Sequence, residues 1–371
     1  MHGRSSLRTV ASVAFVAVAC GGGNPETPVA GSGNAGAGSG RATDRGASGS
    51  SASSGGGVSR SSASSGGGAS GSSASSGSGA AAGGTADGGS EANGSGSAFA
   101  APGSSVLDGG ALWSPGTAVP IHFHWMIGGF TTADILPDQQ GQVVYDIDGE
   151  GATPSDVATI HAKGAIAVCY VDVGTLEKGR SDYAEFPTSV VGPAVQGWPG
   201  ENWLLVTATN QSAILSLMHA RFVSWCQAKG FDAIEPDNLD GWTNIPQVTE
   251  ADNLAYDLAI GSLAHMLQLS IGLKNVMTDL EPSQYPTFLA TFDWALNEQC
   301  YEYQDCDAYT AAGSFIPQGK AVWDVEYNVS PDCTQANETH LNAQRTDLDL
   351  VGTTSSGYQY SPCVPDAQTT W

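Results

Sequence analysis

Past residue 104 the chain shows short apolar bursts separated by polar stretches rich in Gly, Pro, Asp and Asn. Eight bursts read as strands: 121–127, 143–147, 166–171, 203–206, 232–234, 269–273, 292–296 and 321–325. Several are apolar at nearly every position, as expected of strands covered on both faces. Helical spacing predicts helices over 155–163, 214–229 and 249–268, with a fourth over 334–345 after the last strand. Strands alternating with helices in this number predict an α/β fold, a (β/α)8 TIM-like barrel.

Such a barrel places its chemistry where strands end. Those ends carry Asp146 and Asp148 after the second strand, Asp172 after the third, and Glu235 and Asp237 after the fifth. Lys274 and Asn275 follow the sixth, Glu298 the seventh, and Glu326 and Tyr327 the eighth. The richest end is Glu235-Pro-Asp-Asn238, where Pro236 cannot donate to a ladder and stops the strand. A helix cap accounts for one Asp or Asn there. Glu235, Asp237 and Asp240 together repel one another, a cost that makes sense where shifted pKa values are used.

Cleaving a glycosidic bond needs two carboxyl groups, one giving a proton and the other acting as nucleophile or base. Asp237 and Glu298 form the best such pair, with Glu235 as a substitute for Asp237. On barrel precedent Glu298 is expected to be the nucleophile or base and Asp237 the acid. Asp146, Asp148, Asp172, Glu235, Asn238, Asp240, Lys274, Asn275, Tyr301, Glu326 and Tyr327 are expected to contact substrate around them.

Charge and composition then divide the chain. The net charge of its 371 residues is −24, yet residues 1–100 hold four acidic and five basic side chains. The remainder is therefore strongly acidic, which disfavours nucleic acid and suits a cationic ligand. Arg4 and Arg8, an apolar run over 10–19 and then Cys20 read as a secretory signal over 1–20. Ala17-Val-Ala-Cys20 resembles a bacterial lipobox, which makes Cys20 a lipidation site. The run is too short to span a bilayer, so membrane contact is expected only through that lipid. The expected location is secreted or cell-envelope. Residues 21–104 are Gly, Ser and Ala repeats that cannot bury a core, a disordered linker before the domain at 105–371. They lack the Gly-Lys-Ser/Thr ending of a phosphate loop.

These residues carry a family resemblance. Gly230-Phe-Asp-Ala-Ile-Glu-Pro-Asp-Asn-Leu-Asp-Gly-Trp-Thr-Asn244, with Ser270-Ile-Gly-Leu-Lys-Asn275 and Asn297-Glu-Gln-Cys-Tyr-Glu-Tyr-Gln-Asp-Cys306, resembles glycoside hydrolase family 114. Val144-Tyr-Asp-Ile-Asp148, Val168-Cys-Tyr170, Gly197-Trp-Pro-Gly-Glu-Asn-Trp203 and Gly319-Lys-Ala-Val-Trp-Asp-Val-Glu-Tyr327 extend it over most of 112–365. The resemblance implies a TIM barrel that cleaves α-1,4-linked galactosamine-containing polysaccharide internally, and no cofactor is expected. The family's acidic pair, the Asp of Pro-Asp-Asn and the Glu of Asn-Glu-Gln, falls on Asp237 and Glu298. The chain departs at Asp172-Val-Gly174, where the family often has Ser-Ala-Gly, and at Val276, where it often has Asp. Both lie at the rim and bear on substrate detail.

With its amines free, such a polymer is cationic, and an anionic mouth attracts it. Trp125, Tyr145, Tyr170, Trp203, Trp242, Tyr301 and Tyr327 are candidates to stack on its sugars or contact its amines. The protein is expected to act as a monomer.

Six cysteines remain beyond Cys20, and an even set in an exported chain suggests disulfides, with fifteen pairings possible. Cys300 and Cys306 share the loop after Glu298, and Cys333 and Cys363 bracket the last predicted helix. Cys169 and Cys226 are left as a third pair or as buried thiols.

Two other classes fit less well. His122-x-His124 on the first strand has the look of a metal pair in an amidohydrolase barrel. That chemistry needs further His ligands at later strand ends, and His161, His219 and His265 all fall on predicted helices. No metal is expected. A non-catalytic carbohydrate-binding lipoprotein on the same barrel is the alternative function, although both members of the acidic pair are present. No Gly-x-Ser-x-Gly elbow supports an esterase or peptidase.

Overall fold

The computed structural model describes residues 112–136 and 142–363. The expected signal segment, Cys20 and the linker to residue 104 lie outside the described residues. The strands are β1 (Ile121–Met126), β2 (Gln142–Asp148), β3 (Ile166–Asp172), β4 (Thr175–Glu177), β5 (Val191–Ala194) and β6 (Glu201–Leu204). They continue with β7 (Ala233–Asp237), β8 (Ser270–Lys274), β9 (Trp294–Glu298), β10 (Val322–Glu326), β11 (Asn342–Thr346) and β12 (Tyr360–Pro362).

Eight strands run parallel in the order β1-β2-β3-β7-β8-β9-β10-β11, and β12 returns antiparallel beside β11. This sheet is nearly closed and barrel-like. Side chains bridge the seam: Ile121 N donates to Asn342 Oδ1 at 2.9 Å, and Trp323 Nε1 to the Ile121 carbonyl at 3.1 Å. His122 and His124 belong to the same seam, their Nδ1 atoms 2.9 and 3.1 Å from the hydroxyls of Tyr360 and Tyr358.

The helices are α1 (Pro154–Ala162), α2 (Gln211–Arg221), α3 (Gly241–Asn244), α4 (Glu250–Met266), α5 (Tyr285–Thr291), α6 (Cys300–Tyr303), α7 (Asp307–Thr310) and α8 (Cys333–Thr339). Their starts follow local chemistry. Thr153 and Asp156 form a reciprocal cap on α1 with Pro154 at its first position, and Thr249 Oγ1 accepts from Asp252 N on α4. The predicted helix over 214–229 begins as α2 and ends through a π turn and a 3-10 turn. Gly230, at φ 87°, then stops it. No helix among the described residues is long and apolar enough to cross a membrane.

The sequence reading differs from the structure in two elements. The burst at 203–206 contributes to β6, but β6 pairs antiparallel with β4 and β5 in a separate three-stranded sheet. The eighth parallel strand is instead β11, which overlaps the end of the segment predicted as helix 334–345. Helix α8 stops at Thr339 because His340 turns to φ 61°, and Asn-Ala-Gln-Arg-Thr then extends. The strand is polar because Asn342 bonds across the seam and to the Val322 carbonyl at 3.0 Å, where a regular barrel strand would bury an aliphatic side chain.

Alternate residues on the parallel strands point to opposite faces. One set, including Phe123, Trp125, Val144, Val168, Ala233, Trp294, Leu296, Trp323 and Val325, packs inside the sheet. Gly272 is required there, because a Cβ would stand 2.4 Å from the Trp294 ring. The opposite set packs under the helices. The apolar interior gives way, on the same face of the same strands, to Asp146, Tyr170, Glu235, Asp237, Lys274, Glu298 and Tyr327. Disulfides join Cys169 to Cys226, Cys300 to Cys306 and Cys333 to Cys363, the three pairs set out above.

Candidate active site

One ammonium group organises these inward polar residues. Lys274 Nζ lies 2.8 Å from Asp237 Oδ1, 2.9 Å from Glu298 Oε2 and 3.5 Å from Glu235 Oε1. It also sits 4.6 Å above the Trp125 ring, while Trp125 Nε1 donates to Glu235 Oε2 at 2.8 Å. Burial alone would lower the Lys274 pKa. The charges of Asp237, Glu298 and Glu235 overcome that and hold it well above the usual lysine range.

Each of the two carboxylates has further donors. The Tyr170 hydroxyl donates to Asp237 Oδ2 at 3.0 Å. Burial works to raise the Asp237 pKa, but the charge and hydrogen bond of Lys274 and the bond from Tyr170 outweigh it and hold the carboxyl below its usual range. Glu298 accepts from Asn275 Nδ2 at 2.9 Å and from the Tyr327 hydroxyl, and its own N–H donates to Asn275 Oδ1 at 2.9 Å. Burial and the neighbouring Glu298 charge hold the Tyr327 proton in place well past its usual range. Both tyrosines therefore act as donors.

Asp146 and Glu235 form the floor, both fully buried. Burial and then the Glu235 charge push Asp146 well above the carboxylate range. Burial pushes Glu235 up to about 7, against the pull of Lys274. The backbone holds these groups out with local strain: Asn238, Asn275 and Gln299, the residues that follow Asp237, Lys274 and Glu298, take φ of 62°, 59° and 67°.

A second acidic group flanks Asp237. Asp172 is buried and accepts from Thr175 N at 2.8 Å and Gly174 N at 3.1 Å, and Thr175 Oγ1 joins it to Glu201. Gly174 passes so close to Asn238 that a Cβ would lie 1.7 Å from the Asn238 carbonyl oxygen. Burial, with the Asp237 charge second, raises the Asp172 pKa. Burial and then the Asp172 charge push Glu177 up to about 7 and Glu201 to about 8. Asp240 precedes α3 and accepts from Asn244 Nδ2 at 3.1 Å, and burial with the Asp237 charge pushes it up to about 6.

Other residues expected around the site are placed elsewhere. Asp148 is taken by Arg180, which also pairs with Glu177 at 2.5 Å, and by Gly151 N at 2.7 Å. Glu326 points to the opposite face of β10 from Tyr327 and accepts from Tyr301 N at 2.7 Å. Tyr301 lies with it on the outer side, its hydroxyl 3.4 Å from the Asp332 carbonyl. The period-two rule separates them: Trp323, Val325 and Tyr327 share the inner face, leaving Asp324 and Glu326 outside. Thr175, Glu177, Arg180 and Glu201 were not found from strand ends, because β4 and β6 belong to the smaller sheet.

The class and then the family follow from comparison with known proteins. The chain is a glycoside hydrolase, since its residues 108–364 match the model of glycoside-hydrolase family GH114. It belongs to that family. Among solved structures it is similar to Aspergillus fumigatus Ega3 in complex with galactosamine, at 26% identity and TM-score 0.55, covering 67% of this chain and 97% of that one. It is also similar to the glycoside hydrolase domain of PelA from Pseudomonas aeruginosa, at 14% identity and TM-score 0.44, covering 64% and 98% of the two chains. No curated protein sequence matches it.

Proposed function

We propose that this protein is a secreted or cell-envelope enzyme that cleaves α-1,4-linked galactosamine-containing polysaccharide internally, using Asp237 and Glu298 on a (β/α)8-type barrel. The observation that carries the reading is the single Lys274 ammonium bonded to both carboxylates, at 2.8 and 2.9 Å. Two oxygens on one nitrogen lie closer together than the roughly 6.5 Å at which inverting pairs begin, which supports a double displacement with retention.

The same geometry favours Asp237 as nucleophile and Glu298 as acid and base, the reverse of the assignment from barrel precedent. Asp237 is held ionised by Lys274 and Tyr170. The Glu298 side chain is the more open, 25% exposed against 19% for Asp237, as a group exchanging protons with water should be. In the first step the Asp237 carboxylate attacks the anomeric carbon while Glu298, which must take up a proton before this step, gives that proton to the departing sugar oxygen. Water then attacks the glycosyl ester, its proton passes to Glu298, and Asp237 leaves as carboxylate. Asn275 and Tyr327 aim Glu298 through both steps.

The substrate reading rests on the family and on Ega3, whose solved complex contains galactosamine. The net acidity of the chain suits amine-bearing sugars. Three disulfides fit export, and in this reading Cys20 carries the lipid while residues 21–104 tether the monomeric domain at 105–371.

The test is release of soluble oligosaccharides from a partly N-acetylated α-1,4-galactosamine polymer by the purified protein and its Asp237→Asn and Glu298→Gln variants. Release by the wild type alone is expected. Binding by all three with no release would replace the enzyme reading with the carbohydrate-binding alternative for this polymer. A first-formed product with α configuration, followed by NMR, is the expected sign of retention, and a β product would overturn the double displacement.

A further inference from the structure

Strand β10 holds the turn after Glu298 from both of its faces. On the inner face Tyr327, just past the strand, donates to Glu298 itself. On the outer face Asp324 Oδ1 accepts from Cys300 N at 3.1 Å and from Asn297 Nδ2 at 2.9 Å. Glu326 Oε1 accepts from Tyr301 N at 2.7 Å and Glu302 N at 3.4 Å, and Gln299 N donates to the Val325 carbonyl at 2.9 Å. Every backbone N–H from 299 to 302 is thus tied to β10. The other two carboxyl oxygens, Asp324 Oδ2 and Glu326 Oε2, are sealed from solvent and receive no N–H or hydroxyl donor. Asp324 and Glu326 are both fully buried.

Two carboxyl groups so placed cannot both be charged at low cost. We propose that Asp324 and Glu326 share one proton between these oxygens and act as positioning residues that fasten the Glu298 turn. The proposal rests on the reading of Glu298 as a catalytic carboxylate. A metal ion is the competing occupant, since Cys300, Asp324 and Glu326 offer ligand atoms within 4.8 Å of one another. The Cys300 sulfur, however, is bonded to Cys306, and four N–H donors converge on the two carboxyls, an arrangement that stabilises negative charge.

Burial pushes Asp324 up to about 6, offset in part by Asn297, whereas burial and then the Asp324 charge push Glu326 up to about 8. The proton therefore sits on Glu326 near neutrality. The titratable groups nearest the pair are Tyr301 and Glu302 of α6, the exposed Tyr303 of the same helix, Asp305 beyond it and Tyr309 of α7. Arg345 of β11 stands in register with Glu326 and gives its Nε to the Tyr327 carbonyl at 3.2 Å. Burial raises all three tyrosines above their usual range, so they keep their protons where Glu326 loses its own.

The test is amide hydrogen exchange of residues 299–302 in the full chain from neutrality to alkaline pH, corrected for intrinsic rates. In the wild type, protection should fall about tenfold for each pH unit past the Glu326 titration. In Glu326→Gln, whose amide donates to Asp324 at every pH, protection should stay level, and Asp324→Asn should level it from the other side. The ratio of alkaline to neutral kcat should rise in Glu326→Gln. A wild type with pH-independent protection, or a Glu326→Gln protein that loosens as the wild type does, would overturn the shared proton. The exchange result needs no turnover, so it is decided separately from whether the polymer is cleaved.

Discussion

Two groups of carboxylates lie on opposite faces of one sheet, and they are neutralised by different means. On the inner face Asp237, Glu298 and Glu235 surround the Lys274 ammonium, whose flexible stem can release one partner while keeping another. On the outer face Asp324 and Glu326 meet backbone N–H groups that cannot move without unwinding α6. The Glu298 side chain is 25% exposed, whereas Glu326 is fully buried. A mobile counter-charge beside solvent suits a site whose charges change during a reaction. A fixed donor set away from solvent suits an anchor.

The sharpest break of this comparison is kinetic. Asp237→Asn or Glu298→Gln should lower kcat by about 10³-fold or more in the oligosaccharide assay. Next in size is Lys274→Met, which leaves three inner carboxylates without their cation. It should cost about 3–5 kcal/mol near neutrality, measured by urea unfolding, because an uncompensated buried charge remains.

The two faces should also differ in the sign of their pH dependence. Asp237 is held below its usual 3.8, so its stabilising contribution is present above that value and is lost as pH falls through the lower folded pKa. The deficit of Lys274→Met should therefore shrink in acid. Glu326 is raised from 4.5 to about 8, so its contribution is complete below 4.5 and is lost as pH climbs to about 8. Urea unfolding of Glu326→Gln across that interval should show a flatter stability profile than the wild type, and a slope as steep would weaken the contrast.

The disulfides sharpen the comparison by size. Cys169 and Cys226 close a separation of 57 residues and Cys300 and Cys306 one of 6. Replacing each pair by Ala should cost about 4 and about 2 kcal/mol respectively in denaturant unfolding, as loop-closure entropy requires. The smallest effect is expected for Tyr327→Phe. It removes one of several donors to Glu298 and should lower kcat about tenfold, the scale of one hydrogen bond to a charged group.

Much of the site was legible in the chain because apolar bursts stop abruptly at Asp237, Lys274 and Glu298. Strand ends are local events, marked by Pro236 in one case and by a change from aliphatic to polar residues in the others. The alternation Trp323, Val325, Tyr327 also carries the information that Glu326 faces away, although a list of strand ends does not use it. What local pattern could not show is which strands pair. The burst at 203–206 is as apolar as a barrel strand but finds β4 and β5, whereas β11 is polar yet enters the main sheet because Asn342 bonds across the seam. Nor could it place one lysine among three carboxylates from separate strands. The sequence by itself determined where strands end and which chemistry those ends carry. Long-range pairing and sheet closure, which depend on contacts between residues far apart in the chain, decided which of those ends meet.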